Sequence, residues 1–274
     1  MNNNKSAIIL VGTSIECLFS LKKILDSGCI VSGVVFCNQR DLRSRIKSEF
    51  RRVRKYGFFL RFSQIFLSLI YKAIYGHSDK LYINQCLQNF DPHSFYDELI
   101  EKNISYMHTS NYDSKESIDY IKLKDPDFLV CHTPYWIDKR VRMLPRDRLV
   151  IGGHPGLVPF YRGSHSAFWS IFDECPDKNG YSIFCLDQGV DSGPLIDQRP
   201  LRYNYNISYK SNDAYLMKHI SLALAEIAND YSHGKILSAS PQSPLQPSQI
   251  RTPPGIIDFL AFKKKLRKSN LINF

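Results

Sequence analysis

AIILVGTSIECLFSLKKILDSGCIVSGVVF, residues 7–36, decides the class of the fold. Residues 7–11 form an unbroken apolar run that ends at Gly12-Thr13-Ser14. Leu18, Leu21 and Leu25 follow at the spacing of one helix face, and Gly28 stands where a helix would stop. A second apolar run from Ile30 to Phe36 completes strand–turn–helix–strand, the opening unit of a doubly wound α/β sheet. The same stretch argues against a dinucleotide site. Gly12 is all that is present of a glycine fingerprint, and the second strand ends at Cys37-Asn38 where a ribose-binding site needs an acidic residue. A nicotinamide enzyme is not expected.

Further along, residues 127–131 (DFLVC), 148–151 (RLVI) and 181–186 (YSIFCL) read as buried strands. Residues 111–123 read as a capped helix with Ile118 and Ile121 on one side. Residues 213–231 read as an amphipathic helix through Tyr215, Met217, Ile220, Leu224 and Ile227. After Gly234 the chain is rich in Pro, Ser and Gln, which predicts an extended surface segment, closed by a short basic helix at 258–268. There is no internal repeat. The expectation is an α/β domain over 1–233, with a mostly parallel sheet covered by helices on both faces, and a C-terminal extension over 234–274.

With 43% apolar and 23% charged residues in 274, the chain has the composition of a globular protein. Its formal charge of +10 favours an anionic partner: nucleic acid, a lipid surface, or a phosphorylated or carboxylated small molecule. Cysteines 17, 29, 37, 86, 131, 175 and 185 contain no CxxC pair, so zinc-finger and disulfide frameworks are weak readings and buried reduced thiols the expected state. The N-terminal apolar run is too short for a signal peptide, which makes the cytoplasm the expected address.

Residues 40–76 form a basic and then aromatic stretch. Arg61 and Lys72 interrupt its apolar half, leaving about half the length a spanning helix needs, so no transmembrane helix is expected. Two readings stay open: an insertion that packs its apolar face on the domain with its basic face in water, or an interfacial segment held by anionic lipid.

The chemistry concentrates in VIGGHPGLVPFYRGSHSAFWSIF (150–172) and YSIFCLDQGVDSGPLIDQ (181–198). His154 lies just past a strand, where open α/β sheets place reactive groups. Gly152, Gly153 and Gly156 with Pro155 and Pro159 give a sharply turning backbone that lets a ligand approach closely. Asp191 sits in a Gly/Ser/Pro turn after the next strand, where a carboxylate can orient an imidazole or relay a proton. Each residue alone has a plainer reading: a structural histidine, a turn aspartate, a surface Arg162, and Trp169 as core beneath the loop.

Together they resemble the folate-dependent formyltransferases, which include glycinamide ribonucleotide transformylase, methionyl-tRNA formyltransferase and the sugar N-formyltransferases. That signature is Asn-x-His-Pro, Leu-x-Pro-x-Tyr-Arg-Gly and Asp-Xaa-Gly-Pro. It stands here as His154-Pro155, Leu157 through Gly163, and Asp191-Ser192-Gly193-Pro194. The opening VGTSIECLFSLKKIL also looks like the family's first strand and helix, so the resemblance covers about residues 7–37 and 112–200. It implies a Rossmann-like formyltransferase domain in which N10-formyltetrahydrofolate donates a formyl group to a primary amine, without a metal. His154 then matches the histidine that hydrogen-bonds the formyl oxygen or handles a proton, and Asp191 the carboxylate that holds it. Cys131, His132, Thr133, Pro134, Tyr135, Trp136 and Ile137, with Asp187, Gln188 and Gly189, fall where the family binds the folate. Tyr161, Arg162, Gly163 and His165 fall on its substrate loop.

One position departs from the pattern. The family's catalytic Asn falls on Gly152, and losing such an oxyanion donor typically costs about 10²–10³ in turnover. Another donor (His132, Ser164, His165 or a backbone N–H), a slow enzyme, or a different reaction such as formyltetrahydrofolate hydrolysis or plain binding all stay open. Gly156 replaces a common Ser. Too little chain follows Asp191 for the barrel of the methionyl-tRNA enzymes, so nucleic acid is not expected, and the 40–76 insert does not suit the compact glycinamide ribonucleotide enzymes. The organisation is closest to the sugar N-formyltransferases, which implies a nucleotide-linked amino sugar as acceptor in surface glycan synthesis. A homodimer and a membrane contact through 40–76 stay open.

Overall fold

The computed structural model describes residues 4–38, 42–92, 94–243 and 249–272. In chain order the elements are β1 (Ala7–Gly12), α1 (Ile15–Asp26), β2 (Val31–Cys37), α2 (Leu42–Tyr56), α3 (Phe58–Cys86), α4 (Ser94–Glu101) and β3 (Tyr106–Thr109). Next come α5 (Lys115–Lys124), β4 (Phe128–His132), α6 (Lys139–Arg142), β5 (Leu149–His154), β6 (Arg162–Gly163) and α7 (Ser166–Phe172). A 3-10 turn (Pro176–Lys178), β7 (Gly180–Cys185), β8 (Leu195–Pro200), α8 (Tyr209–Ser232), β9 (Ile250–Arg251) and α9 (Ile256–Ile272) complete the chain.

Seven strands form one sheet in the order β3-β2-β1-β4-β5-β7-β8. The first five are parallel, β7 joins β5 antiparallel, and β8 joins β7 antiparallel. β1 and β4 are buried along their whole lengths because helices cover both faces, which is why they read as continuous apolar runs. On one face Leu21 and Ile24 of α1 meet Ile220, Leu224 and Ala228 of α8 over Ile9, Val11 and Val130. Burying each of these large aliphatic side chains is worth about 1.5–3 kcal/mol. On the other face Ile121 and Val141 pack on Ile8, Leu10 and Leu129. The strand order reverses between β1 and β4, so a crevice opens at their carboxyl ends.

The helices begin where hydroxyls cap them rather than where the apolar period starts. Ser114 accepts from Ser117 N and starts α5 later than residue 111; Ser208 accepts from Ser211 N and starts α8 earlier than residue 213. α4, β3, α7 and β8 carry no decisive sequence pattern. β3 alternates exposed and half-buried residues, and β8 is half-buried at most, as at sheet edges.

The 40–76 stretch differs most from expectation. It forms α2 and the first part of α3, and α3 continues through Gly76 to Cys86. α3 is 29 residues long and contains an 18-residue window of mean hydropathy 1.2, so by length and composition alone it is enough to cross a membrane, where the sequence shows only about half that length uninterrupted by charge. Arg61 lies within this helix, with its guanidinium paired with Glu49 of α2. The packed face is also not the most apolar one, against the first of the two readings, an insertion that packs its apolar face on the domain. Gln64, Leu67, Tyr71 and Asp79 are buried, while Phe58, Phe59, Phe62 and Leu69 are exposed. The buried side holds because its partners are aromatic and polar: Tyr71, Phe168, Trp169, Tyr203, Tyr209 and Phe262 form a third core.

Of the Pro-rich segment, Ser240 exchanges both backbone hydrogen bonds with Leu195 at the sheet edge. Residues 244–248 lie outside the described residues. β9 then pairs with β6, and α9 lies against α7 and α3, starting two residues before the expected 258.

Candidate active site

A cleft of about 490 Å³ opens at the carboxyl edge of β1, β4 and β5. Cys131 through Ile137, Gly152, His154, Gly163, His165, Asp187, Gly189 and Asp191 line it, with Ser14, Cys17, Arg142 and Met217. Three residues singled out from the sequence do not line it. Tyr161 turns its ring into the aromatic core, Arg162 donates from Nε to Val190 O at 2.7 Å, and Gln188 is exposed.

His154 ends β5 and is buried. Its Nε2 lies 2.9 Å from the Tyr161 carbonyl and 3.2 Å from Ser166 Oγ. A carbonyl only accepts, so Nε2 carries the hydrogen and Nδ1 is the basic nitrogen. Nδ1 faces Asp191 Oδ2 at 3.5 Å. The same carboxylate oxygen accepts from Gly163 N at 2.8 Å, which fixes its position. The Asp191 backbone is held in turn by Gln242, whose amide donates to the carbonyls of Asp191 and Gly193 at 3.0 and 2.8 Å. Gly156 is required by this arrangement. A Cβ there would lie 2.4 Å from Ser166 Oγ and 2.8 Å from His154 Nε2, so a serine in its place would push the imidazole off its supports.

Gly152 carries no side-chain donor, and its place is partly filled. A Cβ built on it would lie 2.2 Å from Leu186 Cδ1. His132, the last residue of β4, is buried, and neither of its ring nitrogens has a hydrogen-bond partner among the described residues. Burial lowers its pKa to about 4, so near neutral pH it is an uncharged imidazole with one N–H and one lone pair unspent. Burial pushes the thiols of Cys17 and Cys131 up to about 11 and about 12, which removes them as nucleophiles.

On the rim, Thr133 Oγ1 accepts from Tyr135 N at 3.4 Å, Ile137 is buried, and Trp136 is 56% exposed, with the Arg142 guanidinium 5.8 Å from its ring centre. Asp187 closes its own turn by accepting from Gly189 N and Ser192 Oγ at 2.9 and 2.7 Å. His165 has a left-handed backbone, and its Nδ1 lies 3.2 Å from Asp213 Oδ2. Ser166, Asp213 and Gln242 had no signal in the sequence, since each meets its partner across 12 or more residues. Trp169 is core, as expected, with Nε1 donating to Thr252 O at 3.0 Å. Among the described residues no group of three or more His, Cys, Asp or Glu is placed to hold a metal ion.

No family profile matches the chain. Among curated proteins it is 30% identical over 115 residues to a methionyl-tRNA formyltransferase of Clostridioides difficile (strain 630), covering 40% of this chain and 35% of that protein. It is 31% identical over 104 residues to the mitochondrial 10-formyltetrahydrofolate dehydrogenase of Mus musculus, covering 38% of this chain and 11% of that protein. The alignments thus span about a third or less of these relatives. Similar solved structures include a 4-N formyltransferase from Francisella tularensis (TM-score 0.54, 17% identity, 94% of this chain and 79% of that one). Others are a sugar N-formyltransferase from Shewanella sp. FDAARGOS_354 (0.54, 14%, 96% and 86%) and glycinamide ribonucleotide transformylase 1 from Symbiobacterium toebii (0.56, 12%, 89% and 96%). At these identities the structural likeness is one of fold. The chain thus has the fold of the formyltransferases and shares a stretch of sequence with curated proteins that act on or with formyltetrahydrofolate.

Proposed function

We propose that the protein transfers a formyl group from N10-formyltetrahydrofolate to the primary amine of a nucleotide-linked amino sugar, in the cytoplasm and for surface glycan synthesis. The observation that carries this reading is His154 Nδ1 facing Asp191 at 3.5 Å on the wall of the cleft. The cleft suits a reduced pterin: its volume lies in the range of small-molecule sites, and the 131–137 turn offers peptide groups beside the buried Ile137.

When bound, the folate supplies an electrophilic formyl carbon. His154 accepts the proton shed by the attacking amine on Nδ1, since Nε2 is committed to the Tyr161 carbonyl, and returns it to the folate nitrogen as the bond from that nitrogen to the formyl carbon breaks. Asp191 meets that new charge, and its bond from Gly163 keeps the carboxylate from turning away. His132 supplies the N–H for the developing oxyanion in place of the absent Asn side chain. A neutral donor already fixed in a dry site needs no reorganisation when charge develops. The buried Arg142 on the rim and the net charge of +10 suit an acceptor that carries a diphosphate.

The test is incubation with isotopically labelled N10-formyltetrahydrofolate and a panel of amino-sugar nucleotides, read by mass spectrometry. Gain of one labelled formyl group on one acceptor is the expected result. Labelled formate released at the same rate without any amine would replace this reading with a hydrolase.

A further inference from the structure

We propose that the outer face of α3, together with the adjoining edge of α9, docks on an anionic lipid bilayer. This inference is independent of the acceptor and of the reaction. Phe58, Phe59, Phe62, Phe66, Leu69 and Ile74 are exposed, Phe59 at 88% and the others at 45–65%. The rings of Phe58, Phe62 and Phe66 stack one helical turn apart, at 6.3 and 6.2 Å, so the apolar surface is a continuous ridge. A contiguous apolar patch on this scale marks an interaction surface.

α9 extends the ridge sideways. It lies along α3, with Ser63 Oγ accepting from Ile256 N at 2.8 Å at one end and Lys263 Nζ donating to Tyr75 Oη at 3.1 Å at the other. Its exposed stripe carries Ile257 and Leu260, then Lys264 and Arg267, at helical spacing. In the last turns of α2, just before α3 begins, Arg51, Arg54 and Lys55 are exposed. An apolar aromatic ridge bordered by cations at both ends is the pattern of a helix lying in the headgroup region of an acidic membrane.

Charge and anchoring decide between the occupants. A second copy would bring a further +10 against this surface, whereas anionic headgroups turn the same charge into attraction. A bilayer crossing is opposed by the inner side of α3. There Gln64 donates to Pro253 O at 2.7 Å, and Asp79 accepts from Ser208 and Ser211 at 2.5 and 2.8 Å. Moving a carboxylate from those hydroxyls into hydrocarbon is strongly unfavourable, so the helix lies on the membrane with one side fastened to the domain.

The experiment is co-sedimentation of the full chain with phosphatidylcholine vesicles, alone or with about one third phosphatidylglycerol, at low and raised salt. Binding is expected to the anionic vesicles and to weaken with salt. Phe62→Asp/Phe66→Asp should lower it at least about tenfold by placing charge in the acyl boundary, and Lys264→Glu/Arg267→Glu by about as much. These side chains are exposed, so helical content and thermal midpoint should stay at the parent's values. Absence of binding to anionic vesicles, or equal binding to neutral ones, overturns the proposal. So does sedimentation equilibrium showing a dimer that the Phe62→Asp/Phe66→Asp variant dissolves, which would make a second copy the occupant.

Discussion

Because the Tyr161 carbonyl takes the hydrogen on Nε2, His154 has a single nitrogen open to proton exchange, and Asp191 faces it. Asp191→Asn keeps the shape but removes the charge; turnover should fall about 10²–10⁴-fold with little change in thermal midpoint, as steady-state kinetics and melting would show. For His132, replacement by Leu should lower turnover about 10²–10³-fold while folate binding by calorimetry stays within about twofold. The same residue predicts a pH dependence. The unfolded imidazole protonates near 6.5 and the folded one near 4, so between those values the unfolded chain binds a proton that the folded one refuses. Stability is therefore full above about pH 6.5 and falls by about 3 kcal/mol as pH drops to about 4. Melting curves of His132→Leu should lack this share of the acid loss. Gly152→Asn should destabilise by about 1–3 kcal/mol, because Leu186 stands in the way. Adding Leu186→Ala should restore stability and raise turnover, if the amide reaches the oxyanion.

At the scale of elements, the β1–α1–β2 unit and the His154 and Asp191 turns were legible because their signals are local: an apolar run, a helical period, glycines and prolines at fixed offsets. The 40–76 stretch was legible only in part. Its period shows two faces, but which one packs inward depends on Tyr203, Tyr209 and Phe262, more than a hundred residues away. The polar side of α3 won because Asp79 finds two hydroxyls at the start of α8. Asp79→Ala should cost about 1–3 kcal/mol by leaving Ser208 and Ser211 without their acceptor, a loss measurable by denaturant unfolding. Cleavage within α3 under limited proteolysis should quicken in the same variant.

Across the whole molecule, the described residues of the C-terminal segment, 235–243 and 249–272, behave as a strap on the domain. Ser240 extends the sheet edge, Gln242 braces the Asp191 turn, Thr252 takes the Trp169 indole hydrogen, and Phe262 stacks on Phe168 at 4.5 Å. Composition foretold an irregular segment there, but no single-residue pattern announces a brace on a distant turn. Gln242→Ala should lower turnover about tenfold with a small change in melting temperature, since it frees two carbonyls beside the carboxylate. The strap and the His154–Asp191 pair share one seam. Gly163 gives its amide hydrogen to Asp191, and its backbone lies so close to Arg251 that a Cβ would come within 2.3 Å of that carbonyl. Five residues later the chain enters α9. The approach to α9 and the turn that holds the Asp191 carboxylate are thus joined at a single glycine, so any side chain at 163 would disturb both at once.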